Sequence, residues 1–300
     1  MKEIILITGA NGFIANNLSK ILKAQYELRY LTRHVKRDGE FKWDIASGEV
    51  DRNAFANVNH IIHLSGASIF DKRWTDKQKQ LLRSSRIDAS QLLLDTLQSL
   101  GQRIKTFISG SAMGYYGMTT SKHIFHEQDP PGDDFLANLT KDWEAKADLF
   151  NSTKVADRVV KIRTSIVLAH DGGSLPLLIK LSKYYANPVL GSGQQYFPWI
   201  HIDDLIHIFE YALRQPSVIG AVNAAASEHI TNRQFTHRLA KHLHKKVVLP
   251  AVPAPVIKLA LGQQADMILN GSRISNSKIM QLGYRFKFPV LDDALHDILS

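Results

Sequence analysis

Residues 8 to 15 read Thr8-Gly9-Ala10-Asn11-Gly12-Phe13-Ile14-Ala15, two glycines three apart with a small residue three further on. That spacing suits the pyrophosphate of a dinucleotide. Gly9 permits a tight turn out of a strand, and Gly12 lets the backbone approach the phosphates. Ala15 is small enough for the following helix to pack on the strand. The phosphates then face the N–H groups of the helix N-terminus. The plainer alternative is a turn whose glycines only close a bend. The surroundings argue against it: Ile4 to Ile7 is an apolar strand pattern, and Phe13, Ile14, Leu18, Ile21 and Leu22 recur at helical spacing.

A second strand pattern, Leu28 to Thr32, ends in Arg33, followed by His34, Lys36 and Arg37. A site for NAD usually places an acid here to hold the ribose hydroxyls. A guanidinium instead offers a fork of charge-assisted bonds to a 2′-phosphate. The cofactor expected is therefore NADP, against the alternative of a solvated basic loop. In the second half, His201, Asp203 and Asp204 form the densest titratable cluster. Histidine can serve as acid or base near pH 7, so His201 is open to such a role. One of the two aspartates is expected to cap the helix that follows. Gln195 and Trp199 are expected on the substrate side.

The elements that must position these residues alternate. Strands are expected at 3–8, 27–32, 60–64, 104–109 and 158–164, and helices at 12–23, 76–100, 136–150 and 203–213. Alternation of this kind predicts an α/β fold, a doubly wound parallel sheet of the Rossmann type. Ligands in such sheets sit beyond the carboxyl ends of the strands. The glycine loop, Arg33, Leu64-Ser65-Gly66 and the Ser109–Gly117 stretch all fall there. After residue 165, glycines and prolines break the pattern. Residues 1–165 are read as the NADP-binding domain, with 203–225 returning to it. Residues 166–202 and 226–300 are read as a smaller substrate or cap region.

Composition narrows the function classes. The chain has 300 residues, 44% of them hydrophobic and 22% charged, ordinary for a globular protein. With no cysteine, thiol nucleophiles and cysteine-ligated metals are excluded. A reducing, cytoplasmic setting is expected. No stretch reaches the roughly 20 apolar residues of a membrane span, and the N-terminal apolar run is too short for a signal peptide. The net charge of +9 is dispersed, so no nucleic-acid arm is expected. Lys245-Lys246 is read as a solvated basic patch. His237, His242 and His244 do not share a helical face and have no carboxylate among them, so no metal site is expected. The partner expected is a small-molecule substrate, and the protein a monomer or homodimer.

Thr8 to Ile14 resembles the cofactor loop of extended short-chain dehydrogenases/reductases, which include nucleotide-sugar epimerases. A longer series is similar to one atypical subgroup, the YfcH-type epimerase-like family. It comprises Leu64-Ser65-Gly66-Ala67-Ser68-Ile69, Arg73-Trp74, Ser84-Ser85-Arg86-Ile87, Ser111 to Gly117, Trp143-Glu144, Gly191 to Gln195 and Trp199 to Asp204. The C-terminal domain of unknown function of that family is matched from about Val252 to Ile298. The resemblance implies the fold and the NADP site, with Asp44 and Ile45 beside the adenine. Ala15 stands for the third glycine.

Typical relatives use a tyrosine with a lysine four positions on, plus an upstream serine. Here Leu136 and Thr140 hold the pair's positions, and Lys141 is one step late, about 100° around a helix. Ser111 matches the serine. Tyr115 and Tyr116 are candidates for a displaced phenol, Tyr116 being the catalytic partner expected for Ser111. Arg86 is expected to fix an anion or the Ser111 loop. Three readings remain. The first is an NADP-dependent epimerase or oxidoreductase acting on a small hydroxyl or carbonyl compound, such as a sugar nucleotide. The second is a sensor that binds NADP(H) without turnover, and the third an assembly scaffold.

Overall fold

The computed structural model describes residues 2–183 and 188–300. Its strands are β1 (Ile4–Thr8), β2 (Glu27–Thr32), β3 (Glu40–Asp44), β4 (Glu49–Val50), β5 (His60–His63), β6 (Ile104–Ala112), β7 (Ile124–Phe125), β8 (Ala156–Thr164), β9 (Ile166–Leu168), β10 (Trp199–His201), β11 (Gly220–Ala224) and β12 (Arg273–Ile274). The helices are α1 (Phe13–Leu22), α2 (Asp76–Ser99), α3 (Phe135–Ser152), α4 (Leu175–Lys183), α5 (Ile202–Arg214), α6 (Asn232–His242), α7 (Ala254–Leu261), α8 (Asp266–Leu269), α9 (Ser277–Gln281) and α10 (Leu291–Leu299).

Eight strands form one sheet in the order β11-β8-β6-β5-β1-β2-β3-β4. All neighbours run parallel except the β3–β4 edge pair. Chain order reverses at β1, between β2 and β5, the switch point where doubly wound sheets bind ligands. Strand alternation explains the apolar runs. Ile5, Ile7 and Ile62 face Leu18 and Leu22 of α1 and Phe209 of α5. Leu6, Ile61 and Phe107 face Leu93 and Leu97 of α2 and Phe150 of α3. The fold is Rossmann-like.

β11 pairs with β8 along Gly220–Ala224, and α5 packs in the same core as α1. A separate core joins Leu168 of β9, Trp199 of β10, Phe235 of α6 and Leu295 of α10. The sequence reading missed β3 and β11. Glu40-Phe41-Lys42-Trp43-Asp44 carries charges at alternate positions, and Gly220-Ala221-Val222-Asn223-Ala224 has little β propensity. Pairing with an established neighbour holds each in the sheet.

Asp204 ties the last segment down. Its carboxylate accepts the Lys287 and Phe288 N–H groups at 2.8 and 2.9 Å and the Tyr284 hydroxyl at 3.1 Å. The expected aspartate cap is a correction. The cap of α5 is His201, whose Nδ1 accepts the Asp203 N–H at 3.1 Å. The imidazole occupies the position a carboxylate would otherwise take, which frees Asp204 for the C-terminal segment.

Candidate functional site

The glycine loop closes on itself and on the loop after β5. Gly12 N–H donates to the Gly9 carbonyl at 2.7 Å. Gly9 has φ +73°, and a Cβ there would lie 2.8 Å from the Leu64 carbonyl oxygen. Only glycine takes that conformation and that approach without strain. Gly12 then opens α1 with no side-chain cap and no acid in the first turn. By contrast, Thr75, Asp134 and Thr231 cap α2, α3 and α6. The orphan N–H groups of α1 therefore face the carboxyl edge of the sheet, a fit for a pyrophosphate.

The junction beneath is fixed by Thr8. Its hydroxyl accepts the Leu64 and Ser65 N–H groups at 3.1 Å each and donates to His63 Nδ1 at 2.8 Å. Burial holds the His63 imidazole neutral, down to about 4. At the end of β2, Asn11 Nδ2 lies 3.5 Å from Thr32 Oγ1. Arg33 follows, exposed and with no ion pair or hydrogen bond among the described residues. Its neighbour Arg37 is held by Glu40 at 2.8 Å. Asp44 is exposed and accepts the Ala46 N–H at 2.9 Å, while Ile45 packs on the core. Phe13 meets the other region: a Cβ on Gly172 would come within 2.3 Å of its ring. Ile14, in the first turn of α1, packs on the core.

Arg86 lies under the 64–69 loop. It donates to the Ala67 carbonyl at 3.0 Å and the Leu82 carbonyl at 3.1 Å, and stands 5.3 Å from the Trp143 ring centroid. A Cβ on Gly66 would meet its guanidinium at 2.9 Å. Burial pulls the Arg86 guanidinium down to about 10. The geometry is that of a residue supporting the loop's backbone.

Ser111, at the carboxyl end of β6, belongs to a buried polar network. Its hydroxyl donates to Glu144 Oε1 at 2.6 Å. Arg163 of β8 grips the same carboxylate through Nε and Nη2 at 2.8 Å each. Its Nη1 donates to the Tyr116 hydroxyl at 2.9 Å and to the Glu127 carbonyl at 3.1 Å. Tyr116 donates in turn to Asn223 Oδ1 at 2.7 Å. Burial alone would lower the Arg163 guanidinium, but the Glu144 bonds and charge outweigh it and hold it above its usual range. Burial pushes the Tyr116 phenol up to about 12. Tyr115 is the half-exposed phenol of the two, with its ring 3.5 Å from the guanidinium.

Tyr116 is thus placed inside the network, with both its donor and acceptor functions engaged. Trp199 is 1% exposed in the second core. Gln195 donates to the Leu190 and Ile268 carbonyls at 2.9 and 3.0 Å, joining two loops. His201 is buried against Phe288, and that burial holds its imidazole below the usual value. Leu136 and Thr140 pack on the turn after β6, where a Cβ on Gly114 would lie 3.4 Å from Leu136 Cβ and 3.8 Å from Thr140 Oγ1. Thr140 donates to the Leu136 carbonyl of its own helix at 2.7 Å. The space of a Tyr/Lys pair is closed and largely apolar.

Sequence reasoning gave no role to Glu144, Arg163 or Asn223. The available signal was a charge in a buried strand pattern: Arg163 follows Ile162, and a cation there requires a partner. Among the described residues no group of histidines and acids has metal-binding geometry, and no helix is long and apolar enough to cross a membrane.

Residues 5–137 match the NAD dependent epimerase/dehydratase family, and residues 252–298 match a domain of unknown function, DUF1731. The chain is 32% identical over 99% of its length, and 86% of the relative's, to the chloroplastic "Epimerase family protein SDR39U1 homolog" of Arabidopsis thaliana. The chain belongs to the epimerase family. Within it, "Epimerase family protein Mb2239" of Mycobacterium bovis is 32% identical over 97% of this chain and 96% of its own. The crystal structure of human epimerase family protein SDR39U1 with NADPH superposes with TM-score 0.88 at 30% identity, covering 98% of each chain. UDP-glucuronic acid 4-epimerase from Bacillus cereus, at 19% identity, TM-score 0.77 and 97% and 96% coverage, shares the fold.

Proposed function

We propose that this member of the epimerase family is an NADP-dependent oxidoreductase or epimerase acting on a small hydroxyl or carbonyl compound. The observation that carries the cofactor is the uncapped α1 N-terminus set beside an exposed, unpaired Arg33. The human relative that superposes on the whole chain holds NADPH. Gly9, Asn11, Gly12, Phe13 and Ile14 would hold the pyrophosphate side, and Arg33 the 2′-phosphate. Asp44 and Ile45 would flank the adenine, and Leu64, Ser65 and Gly66 the inner face. Residues 166–202 and 226–300 act as the cap, and 203–225 belong with the sheet.

NADP supplies hydride transfer at its nicotinamide. The chain's part is to place a substrate oxygen and move its proton. Ser111 already donates to Glu144, so its free lone pair accepts the hydrogen bond of a substrate hydroxyl. The proton then passes through Ser111 Oγ to Glu144. Arg163 grips Glu144 through two bonds, and Tyr116 holds Arg163 in place rather than carrying the proton. Arg86, Gln195, Trp199 and His201 position the loops around the site.

The test is a screen of sugar nucleotides and small carbonyl compounds with NADPH. Loss of a positioned acid or base costs about 10²–10⁴-fold in rate. Turnover that Ser111→Ala lowers by that factor, with NADPH binding intact, supports the reading. Turnover unchanged in Ser111→Ala sinks the assignment. The closed Leu136/Thr140 corner favours a second reading, a sensor of NADP(H). Tight NADPH binding with no turnover across the screen would select it.

A further inference from the structure

An apolar cluster lies beside the Ser111 turn. Trp74, Leu82, Leu136 and Leu139 form a small buried cluster, and half-buried Ala67, Ile69, Met118 and Met267 pack on it. Ala67 and Ile69 follow β5, Met118 follows the Ser111 turn, and Met267 comes from α8. The cluster therefore spans the seam at the carboxyl edge of the sheet. Two polar side chains strap the seam. Arg73 donates to the Leu259 and Ala260 carbonyls at 2.6 and 2.8 Å. Gln264 donates to the Ile69 and Lys72 carbonyls at 2.7 and 2.9 Å.

One cation at the same seam is unused. Arg273 pairs through its backbone with Ile124, on the segment that leaves the Ser111 turn. The preceding residues are pinned beside Met118: Ser272 Oγ donates to the Thr119 carbonyl at 2.6 Å, and Gly271 N–H to Thr120 Oγ1 at 3.2 Å. The guanidinium lies 5.2 Å from the Tyr196 ring centroid. Its Nε is fully buried with no partner, and the side chain makes no ion pair or hydrogen bond among the described residues. Arg163, at the same end of the sheet, has a bidentate carboxylate. A buried guanidinium N–H without an acceptor is costly unless an anion arrives. Stacking on Tyr196 leaves the edge of the fork free to receive one bidentately.

We propose that the compound held beside the cofactor is an apolar molecule carrying one anionic group, a carboxylate or a phosphate, and that Arg273 binds this group. The proposal rests on the NADP reading above and narrows its substrate. The apolar body lies along Ile69, Leu136, Met118 and Met267. Those side chains offer a sugar ring no hydrogen bonds to replace the water lost from its hydroxyls.

Calorimetric titrations of the NADPH-loaded full chain test this with four probes: phenylpyruvate, its methyl ester, phenyl phosphate and UDP-glucose. NADPH binding is measured first, and its failure would overturn the underlying NADP reading itself. With NADPH bound, the anionic phenyl compounds should bind at least about 10-fold tighter than the ester, the value of one charge-assisted contact. Whichever of phenylpyruvate and phenyl phosphate binds better identifies the anion. Arg273→Gln should erase the acid–ester difference with NADPH affinity unchanged, and Arg273→Lys should restore part of it. Equal binding of acid and ester, an unaltered preference in Arg273→Gln, UDP-glucose as the tightest ligand, or no probe binding would each overturn the proposal. The acid–ester comparison on the unmodified chain stands even if the Arg273→Gln protein does not fold.

Discussion

The two ends of the proposed site are built on different principles. The cofactor end is backbone: a turn with φ +73° at Gly9, an uncapped helix start at Gly12, and N–H groups gathered by one hydroxyl, Thr8. The substrate end is side chain: Ser111, Glu144, Arg163, Tyr116 and Asn223 come from β6, α3, β8, the turn after β6 and β11. A backbone site tolerates change in everything but its glycines and its geometry. In a side-chain network, removing one member leaves the groups it touched unsatisfied and weakens the rest. The first end should thus be mutationally local and the second cooperative.

The sharpest way to break that contrast is Glu144→Ala. It leaves Arg163 charged in a site where its side chain is 3% exposed. Removing one partner of a buried pair costs about 3–5 kcal/mol. Urea unfolding should show that loss, with Glu144→Gln milder because it keeps the shape and an acceptor. NADPH affinity, measured where the protein remains folded, should change little. A loss below about 1 kcal/mol would mean the network is solvated, as surface pairs are, and not the cooperative unit described.

The backbone end has its own sensitivity, to pH. The folded state holds His63 at about 4, while an unfolded histidine titrates near 6.5. As pH falls through about 6.5, the unfolded chain takes up a proton that the folded one refuses until near 4, so stability drops across that window. The full effect is about 3 kcal/mol. Burial shifts His60 and His201 in the same direction. Thermal melts from pH 7 to 4.5 should fall steadily, and His63→Asn, which keeps an acceptor for Thr8, should flatten the slope. An unchanged slope in that variant would remove His63 from the account.

The same contrast explains what the sequence made legible. The glycine loop, Arg33 and Leu64-Ser65-Gly66 are contiguous segments next to strand patterns, so their place in the chain is enough to propose a role for each. Five of the eight strands of the main sheet and four helices followed from periodicity, within a few residues at their ends. The network members lie 33, 19 and 107 residues apart along the chain, and no local pattern joins them. Tyr116 therefore read as a free phenol and Trp199 as a pocket wall, although burial places both inside packed cores. β11 was illegible for a related reason, since it is a strand only because β8 lies beside it.

The central claim is that a basic residue ending β2 selects NADP over NAD at an otherwise backbone-made site. The direct measurement is calorimetric titration of the unmodified protein and Arg33→Ala with NADPH and with NADH. One charge-assisted contact of about 1.5–3 kcal/mol gives NADPH a roughly 10- to 150-fold advantage. Arg33→Ala should lose most of that advantage and leave NADH affinity where it was. Equal affinities in the unmodified protein, or an undiminished NADPH preference in Arg33→Ala, would contradict the claim.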